Sequence, residues 1–258
     1  MPPGPAAAPV RRVAVSVVSH GHGALVQELL HALAALAGAS IAEVVLTHNL
    51  PEPVPPPPPG GWPFALTVIA GGPPQGFAAN HNRAFARTAA PYFCVLNPDL
   101  RFPDGDPFPA LLQAAAAPAA GCAYPVQVDA AGRRLDFERA LPTPAALWRR
   151  HALRRPDTRT DWVNAACLLV PRGVFAQLGG FDARYFMYCE DVDFCLRLRL
   201  AGLALQPAPV RVQHDAQRAS RRRLRHLGWH LRSLWRLWHS APYRKTLAVS
   251  GSSRARLG

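Results

Sequence analysis

Val13-Ala14-Val15-Ser16-Val17-Val18-Ser19-His20-Gly21-His22-Gly23 decides the fold. Val13 to Ser19 is a short apolar run rich in β-branched residues and predicts a buried strand. Gly21-His22-Gly23 predicts a loop, and Leu25, Leu29, Leu33 and Leu36 at helical spacing up to Gly38 predict a helix. Val44 to Thr47, Leu66 to Ala70 and Tyr92 to Leu96 are further strand-like runs, with a helical segment from about Phe77 to Thr88 between the last two. Strands alternating with helices predict an α/β architecture, a mainly parallel sheet with helices on both faces.

The chain has 258 residues, 49% of them hydrophobic and 17% charged, enough for one large domain or two small ones with a real core. No apolar run approaches the roughly 18 to 20 residues of a membrane span. Residues 1–10, read as a flexible N-terminus, are Pro/Ala-rich and lack a basic flank followed by an apolar stretch, so a cytoplasmic location is expected. Cys94, Cys122, Cys167, Cys189 and Cys195 are scattered, form no Cys-x-x-Cys pair and read as buried reduced thiols. The only lysine is Lys245, in a basic tail, which removes P-loop and Schiff-base chemistry from the core. Residues 1–210 carry 17 Arg against 15 Asp and Glu, whereas residues 211–258 carry 12 Arg and Lys against Asp215 alone. The basicity therefore belongs to the tail.

One domain is expected over 11–215, with a Pro-rich excursion at 51–61 and a flexible loop or lid at 129–160, where eight arginines stand among few apolar residues. Trp162 to Val170 predicts a strand, then a short helix, Gly179-Gly180-Phe181-Asp182, a helix from about Glu190 to Ala201 and a strand over Val210–Gln213. Residues 216–258 form a basic tail whose helix, 220–239, is amphipathic. At 100° per residue Leu224, Leu227, Leu231, Leu234, Trp235 and Trp238 share a stripe about 100° wide, with Arg221, Arg222, Arg225, Arg232 and Arg236 outside it.

Several groups could carry chemistry. The Gly21-x-Gly23 turn has the start of a dinucleotide-binding pattern, but Val26 occupies the third glycine position and Thr47-His48-Asn49 stands where a ribose-binding acid belongs. Asn97-Pro98-Asp99 follows a strand directly; a carboxylate at a strand's carboxyl end suits a hard divalent cation, and equally suits a turn. Glu190, Asp191 and Asp193 begin a helix, where acids are favoured as caps. Their apolar approach, Tyr185-Phe186-Met187-Tyr188, also fits a carboxylate of raised basicity for general-base work. His214 ends a strand and suits a metal shell or a phosphate, or a structural role.

As an ordered set these elements resemble the family 2 inverting glycosyltransferases of GT-A (Rossmann-like) fold, rhamnosyltransferase-like branch. The matching elements are Val15–Ser19, Gly76-Phe77-Ala78-Ala79-Asn80-His81-Asn82, Leu96–Asp99, Gly179–Asp182, Phe186–Asp193 and His214, spread over about residues 13–214. The resemblance implies that Asp99, and His214 as in some relatives, hold Mg2+ or Mn2+ on the donor diphosphate. It implies that Asp191 is the general base, with Glu190 beside it near the acceptor. It also implies that Ser19, Gly21, Asn49, Gly76, Asn80, Asn82 and Asn97 line the nucleotide-sugar site. The expected donor is a dTDP- or UDP-sugar, carrying rhamnose or a hexose. The expected acceptor is a saccharide, polyprenyl-linked, in cell-surface polysaccharide synthesis.

Three departures from the family pattern stand out: Thr47-His48-Asn49 lacks the usual base-contacting Asp, Asn164-Ala165-Ala166 replaces a Gly-Ala pair, and the 51–61 polyproline run has no counterpart in the family. The basic helix either meets an anionic membrane surface, giving a peripheral location, or packs on the domain. Nucleic acid is not expected as a partner, because the basic residues are confined to the tail. The competing readings are a nucleic-acid binder that uses that tail and a glycosyltransferase-like protein without catalysis.

Overall fold

The computed structural model describes residues 12–153, 157, 159–215 and 223–255; the expected N-terminal segment 1–10 and the junction 216–222 lie outside them. The predicted architecture is present. β1 (Val13–Ser19) leads through α1 (Gly23–Leu36) to β2 (Ile41–His48) and β3 (Ala65–Ile69), and α2 (Phe77–Phe85) leads to β4 (Tyr92–Leu96). These four strands pair in parallel with β1 between β2 and β4. The sheet continues through β5 (Leu100–Arg101), β6 (Ala120–Val128), β9 (Cys167–Pro171) and β10 (Ala204–His214) in the order β3-β2-β1-β4-β9-β6-β10-β5.

Strand periodicity divides the core in two. Val13, Val15 and Val17 of β1 and Cys94 and Leu96 of β4 join the α1 leucines 29, 30 and 33 and α3 (Phe108–Ala115) on one face. Ala14, Phe93 and Val95 point to the other face, toward α2, α5 (Arg172–Gln177) and α6 (Glu190–Leu200). There Phe175 contacts Phe85, Phe93, Phe181 and Phe194 at ring separations of 4.7 to 5.4 Å. Each such buried ring contributes about 1.5–3 kcal/mol, and together they lock α6 against the sheet. The five cysteines are all buried and free.

The structure adds β5, α3 and β6, which the sequence reading did not anticipate, and departs from that reading elsewhere. The stretch predicted as one strand over 162–170 is two: β8 (Trp162–Val163) pairs with β7 (Glu138–Arg139) in a separate small sheet, and β9 joins the main sheet. Residues 164–166 cross between them. Within the expected loop 129–160 lie β7 and α4 (Pro144–Ala152), capped by Thr143 and anchored by buried Phe137 and Leu141. Few apolar residues suffice there because Arg150 pairs with Asp136 and Asp157. Finally, α7 (Arg223–Trp238) is followed by α8 (Ala241–Ala255), which packs on α6 through buried Tyr243.

The Pro-rich 51–61 excursion is tied down: Gln27 and His31 of α1 both reach Pro56 O, and Trp62 packs edge-on to His31. Gly180 is a position where glycine is required. Its φ is +69°, and a Cβ there would collide with the Asn82 amide, which bonds the backbone N–H and C=O of Phe181 at 2.9 and 2.7 Å. Gly180→Ala is expected to lose about 2 kcal/mol or more in urea unfolding, from left-handed strain plus overpacking. Gly132→Ala, at φ +75° with nothing within 4 Å of the added carbon, loses only about 1 kcal/mol.

Candidate active site

The topology brings one set of chain ends to a single sheet edge. β1, β2, β4, β6 and β10 run the same way, so their carboxyl ends lie together at Ser19–Gly21, His48–Asn49, Asn97–Asp99, Gln127 and His214. β9 runs oppositely, so its entry, Asn164-Ala165-Ala166, opens on that same edge. Ligands of open α/β sheets bind at this edge.

Asp99 and His214 meet there, with Nε2 3.3 Å from Oδ1 and both side chains largely buried. The Asp99 turn is fixed by Asn97 N–H donating to Ala166 O at 2.8 Å and Asp215 N–H donating to Asp99 O at 3.2 Å. The imidazole is oriented by an amide pair. Asn164 Nδ2 donates to Gln127 Oε1 at 3.1 Å, so that oxygen is an acceptor, and His214 Nδ1 at 3.3 Å must donate to it. The Nε2 of a neutral His214 then directs its lone pair at the Asp99 carboxylate, with Asn97 Nδ2 3.5 Å away. Two acceptors that face each other this way suit a divalent cation between them. Adjacent ligands of an octahedral ion with bonds of about 2.1 Å lie about 3 Å apart, close to the observed separation. Among the described residues no group of three or more His, Cys, Asp or Glu surrounds such a position. A pair leaves most of the coordination sphere to phosphate oxygens and water.

The second acidic group sits at the start of α6, behind an unusual turn. Tyr188 and Cys189 are consecutive residues at φ +71° and +67°, a left-handed conformation costing a non-glycine residue about 1–2 kcal/mol. Surrounding bonds hold it: Phe77 N–H donates to Phe186 O at 2.9 Å, Ser233 Oγ–H to Met187 O at 2.8 Å, and Tyr188 OH pairs with His226 Nδ1 at 2.7 Å. Gly76 is needed here because a Cβ would collide with the Phe186 carbonyl.

The turn delivers three acids with different environments. Asp193 pairs with Arg197 at 2.7 Å, and Arg197 donates to Leu178 O and Gly180 O, so this acid is structural. Asp191 is raised to about 6, chiefly by burial, with partial offset from its N–H donors and from the Arg139 charge. Its carboxylate accepts from Val192 N–H at 2.8 Å and is also stabilised by Ala165 N–H. Burial and the neighbouring Asp191 push Glu190 well above the usual carboxylate range. Glu190 Oε2 is buried and has no hydrogen-bond partner among the described residues.

The remaining expected residues brace the edge. Asn49 accepts from Gln75 N–H at 2.7 Å and donates to Gln75 O at 2.8 Å, while Asn80 also donates to Gln75 O. Gly21 takes φ +81° and donates to Glu52 Oε1 at 2.8 Å, and Ser19 Oγ–H donates to Glu52 Oε2 at 2.7 Å. Gly76 and Asn82 serve the close packing described above. Glu52, Gln127, Arg139 and Asn164 escaped notice as site residues in the sequence. Glu52 lies in the Pro-rich excursion and Arg139 among eight arginines, so no local pattern distinguishes either. Gln127 ends a strand that was not predicted, while Asn164 was visible only as a departure from the family pattern.

No model of a protein family matches the chain. The chain is 34% identical over 191 residues to the N-acetylglucosaminyl-diphospho-decaprenol L-rhamnosyltransferase of Mycobacterium tuberculosis; the match covers 63% of this chain and 62% of that protein. It is 41% identical over 85 residues to the rhamnosyltransferase WbbL of Escherichia coli, 31% of each chain. The chain thus spans less than two thirds of the length of these relatives. In fold it is similar to a mannosyltransferase from Pyrobaculum calidifontis solved with GDP-Man and Mn2+, at a TM-score of 0.61 and 18% identity, over 87% of this chain and 64% of that one. The chain is thus similar in sequence to bacterial rhamnosyltransferases, and its architecture is that of the GT-A fold.

Proposed function

We propose that the chain transfers a sugar, rhamnose or a hexose, from a dTDP- or UDP-sugar to a lipid-linked saccharide by a single inverting displacement that depends on Mg2+ or Mn2+. The observation that carries this reading is the common edge shared by the Asp99–His214 pair and the basic carboxylate Asp191. The name of the Mycobacterium tuberculosis relative, which specifies a decaprenyl-diphosphate-linked acceptor, supports a lipid-linked acceptor here.

Asp99 and His214 would hold the ion, which when bound supplies positive charge for the leaving diphosphate. Asp191 takes the proton from the acceptor hydroxyl. That oxygen forms its bond to the anomeric carbon as the bond from the carbon to the diphosphate oxygen breaks, and the nucleoside diphosphate leaves with the electron pair. A carboxylate near 6 is mostly ionised at neutral pH and more basic than an ordinary one. Glu190 beside it is pushed above the usual carboxylate range by burial and by the Asp191 charge. The lack of an Asp after β2, and the engagement of Asn49 with Gln75, leave the base-recognition surface to backbone groups near Ser19–Gly21 and to Glu52.

Four measurements check the assignments. Asp191→Asn is expected to keep nucleotide-sugar binding within about twofold and to lower transfer by about 10²–10⁴-fold. Asp99→Ala lowers Mn2+-dependent donor binding itself, and the reverse pattern in calorimetry and turnover would reassign the two acids. Because Asp191 is raised in the fold from its ordinary 3.8 to about 6, kcat/KM climbs as pH rises through about 6. Protonation of Asp191 favours the folded state, so its ionised form destabilises; Asp191→Asn therefore raises Tm at neutral pH, with the gain vanishing below about pH 4. Gln127→Leu weakens Mn2+ binding about tenfold by freeing the imidazole, whereas Gln127→Glu, which keeps an acceptor for Nδ1–H, retains it.

A further inference from the structure

Helix α7 packs by only one margin of the stripe its sequence picks out, together with polar residues beside it. Ser233, Leu234 and Leu237 are buried, and His226, Trp229 and Ser233 meet the Phe186–Tyr188 turn. Trp238, half-buried, donates its indole N–H to Pro142 O. Leu227, Leu231 and Trp235 remain 52%, 58% and 65% exposed. Spaced i, i+4 and i+8, they line one stripe about 80° wide, roughly 130° round the helix from the buried face. Leu224 belongs to the stripe by spacing, although its side chain lies outside those described. Exposed Arg232 and half-buried Arg236 stand about 100° beyond Leu231 and Trp235, and residues 223–255 hold seven Arg and Lys and no Asp or Glu.

We propose that α7 docks this chain on an anionic lipid bilayer, with Leu227, Leu231 and Trp235 in the interface and the arginines on headgroups. Charge selects the occupant. An apolar stripe with an aromatic end, bordered by cations over a segment lacking any acid, matches an interfacial helix. A nucleic-acid surface would not call for the exposed leucines, and a protein partner would need acids of its own. Among the described residues no helix is long and apolar enough to cross a membrane, so this contact is peripheral. The geometry adds a consequence: the inner face of the same helix bonds the strained turn in front of Glu190 and Asp191. A bilayer under α7 therefore lies against the element that sets the acceptor side of the site. The docking does not depend on the transferase reading; vesicle binding without sugar transfer would refute that reading and leave this one standing.

The test is sedimentation of the full chain with vesicles of phosphatidylcholine alone or mixed with phosphatidylglycerol, at low and high salt. The chain is expected to pellet with the anionic vesicles at low salt, weakly with the neutral ones, and less at high salt. Leu227→Glu, Leu231→Glu and Trp235→Glu together reduce the bound fraction at least tenfold with unchanged Tm and unchanged nucleotide-sugar binding. Trp235→Ala alone gives a partial loss. The proposal is overturned if wild type stays in the supernatant with anionic vesicles, or if the triple variant pellets as wild type does. It is equally overturned if the stripe proves to be a contact between copies, seen as a dimer in solution that the triple variant dissolves, or if duplex DNA binds the chain and the triple variant binds it equally while neither pellets with vesicles.

Discussion

Three residues of backbone, Asn164-Ala165-Ala166, connect the two chemical halves of the site. Between β8 and β9 the chain leaves one sheet and enters another, and the unpaired groups of the crossing find partners on both sides. Ala166 O takes the N–H of Asn97, two residues before Asp99, and the Asn164 amide clasps Gln127, which orients His214. On the other side Ala165 N–H supports Asp191. A strand continuing straight through 162–170 would have satisfied these groups within a ladder. The break in the sheet is therefore what ties the Asp99–His214 pair to Asp191.

The placement of Asp191 has a visible cost in strain. Two adjacent left-handed residues, Tyr188 and Cys189, swing the start of α6 toward the sheet edge, and contacts from α2 and α7 hold them there. Burial then raises Asp191 and Glu190, while the helix N-terminus and Arg139 limit the rise for Asp191. Asp193 shows the alternative outcome within the same turn of helix, where a close arginine converts an acid into a strut. The three acids differ by their neighbours, so sequence proximity alone does not assign their roles.

Much of this was legible in the sequence because it rests on periodicity. The β1–α1–β2 unit, β4 and α6 follow from alternating and helical hydrophobic spacing, and Asp99, Asp191 and His214 stand out as polar residues at the ends of such runs. What was not legible depends on long-range contacts. Arg139 and α4 lie in an arginine-rich stretch that Phe137, Leu141 and paired charges make ordered. Gln127 and Asn164 matter only to each other and to His214. The hydrophobic stripe of α7 left its packing face open, because Ser233 and the histidines dock by hydrogen bonds and ring contacts that a hydrophobicity pattern ignores.

The central claim is that the two carboxylates address opposite ends of one activated sugar. A crystal structure of the chain with Mn2+ and a non-hydrolysable nucleotide sugar tests it most directly. The account predicts a metal bonded to Asp99 and His214 Nε2 on the diphosphate side, with Asp191 across the anomeric carbon from the leaving oxygen. A metal bound elsewhere, or Asp191 opening on a cavity that the sugar does not enter, would contradict it.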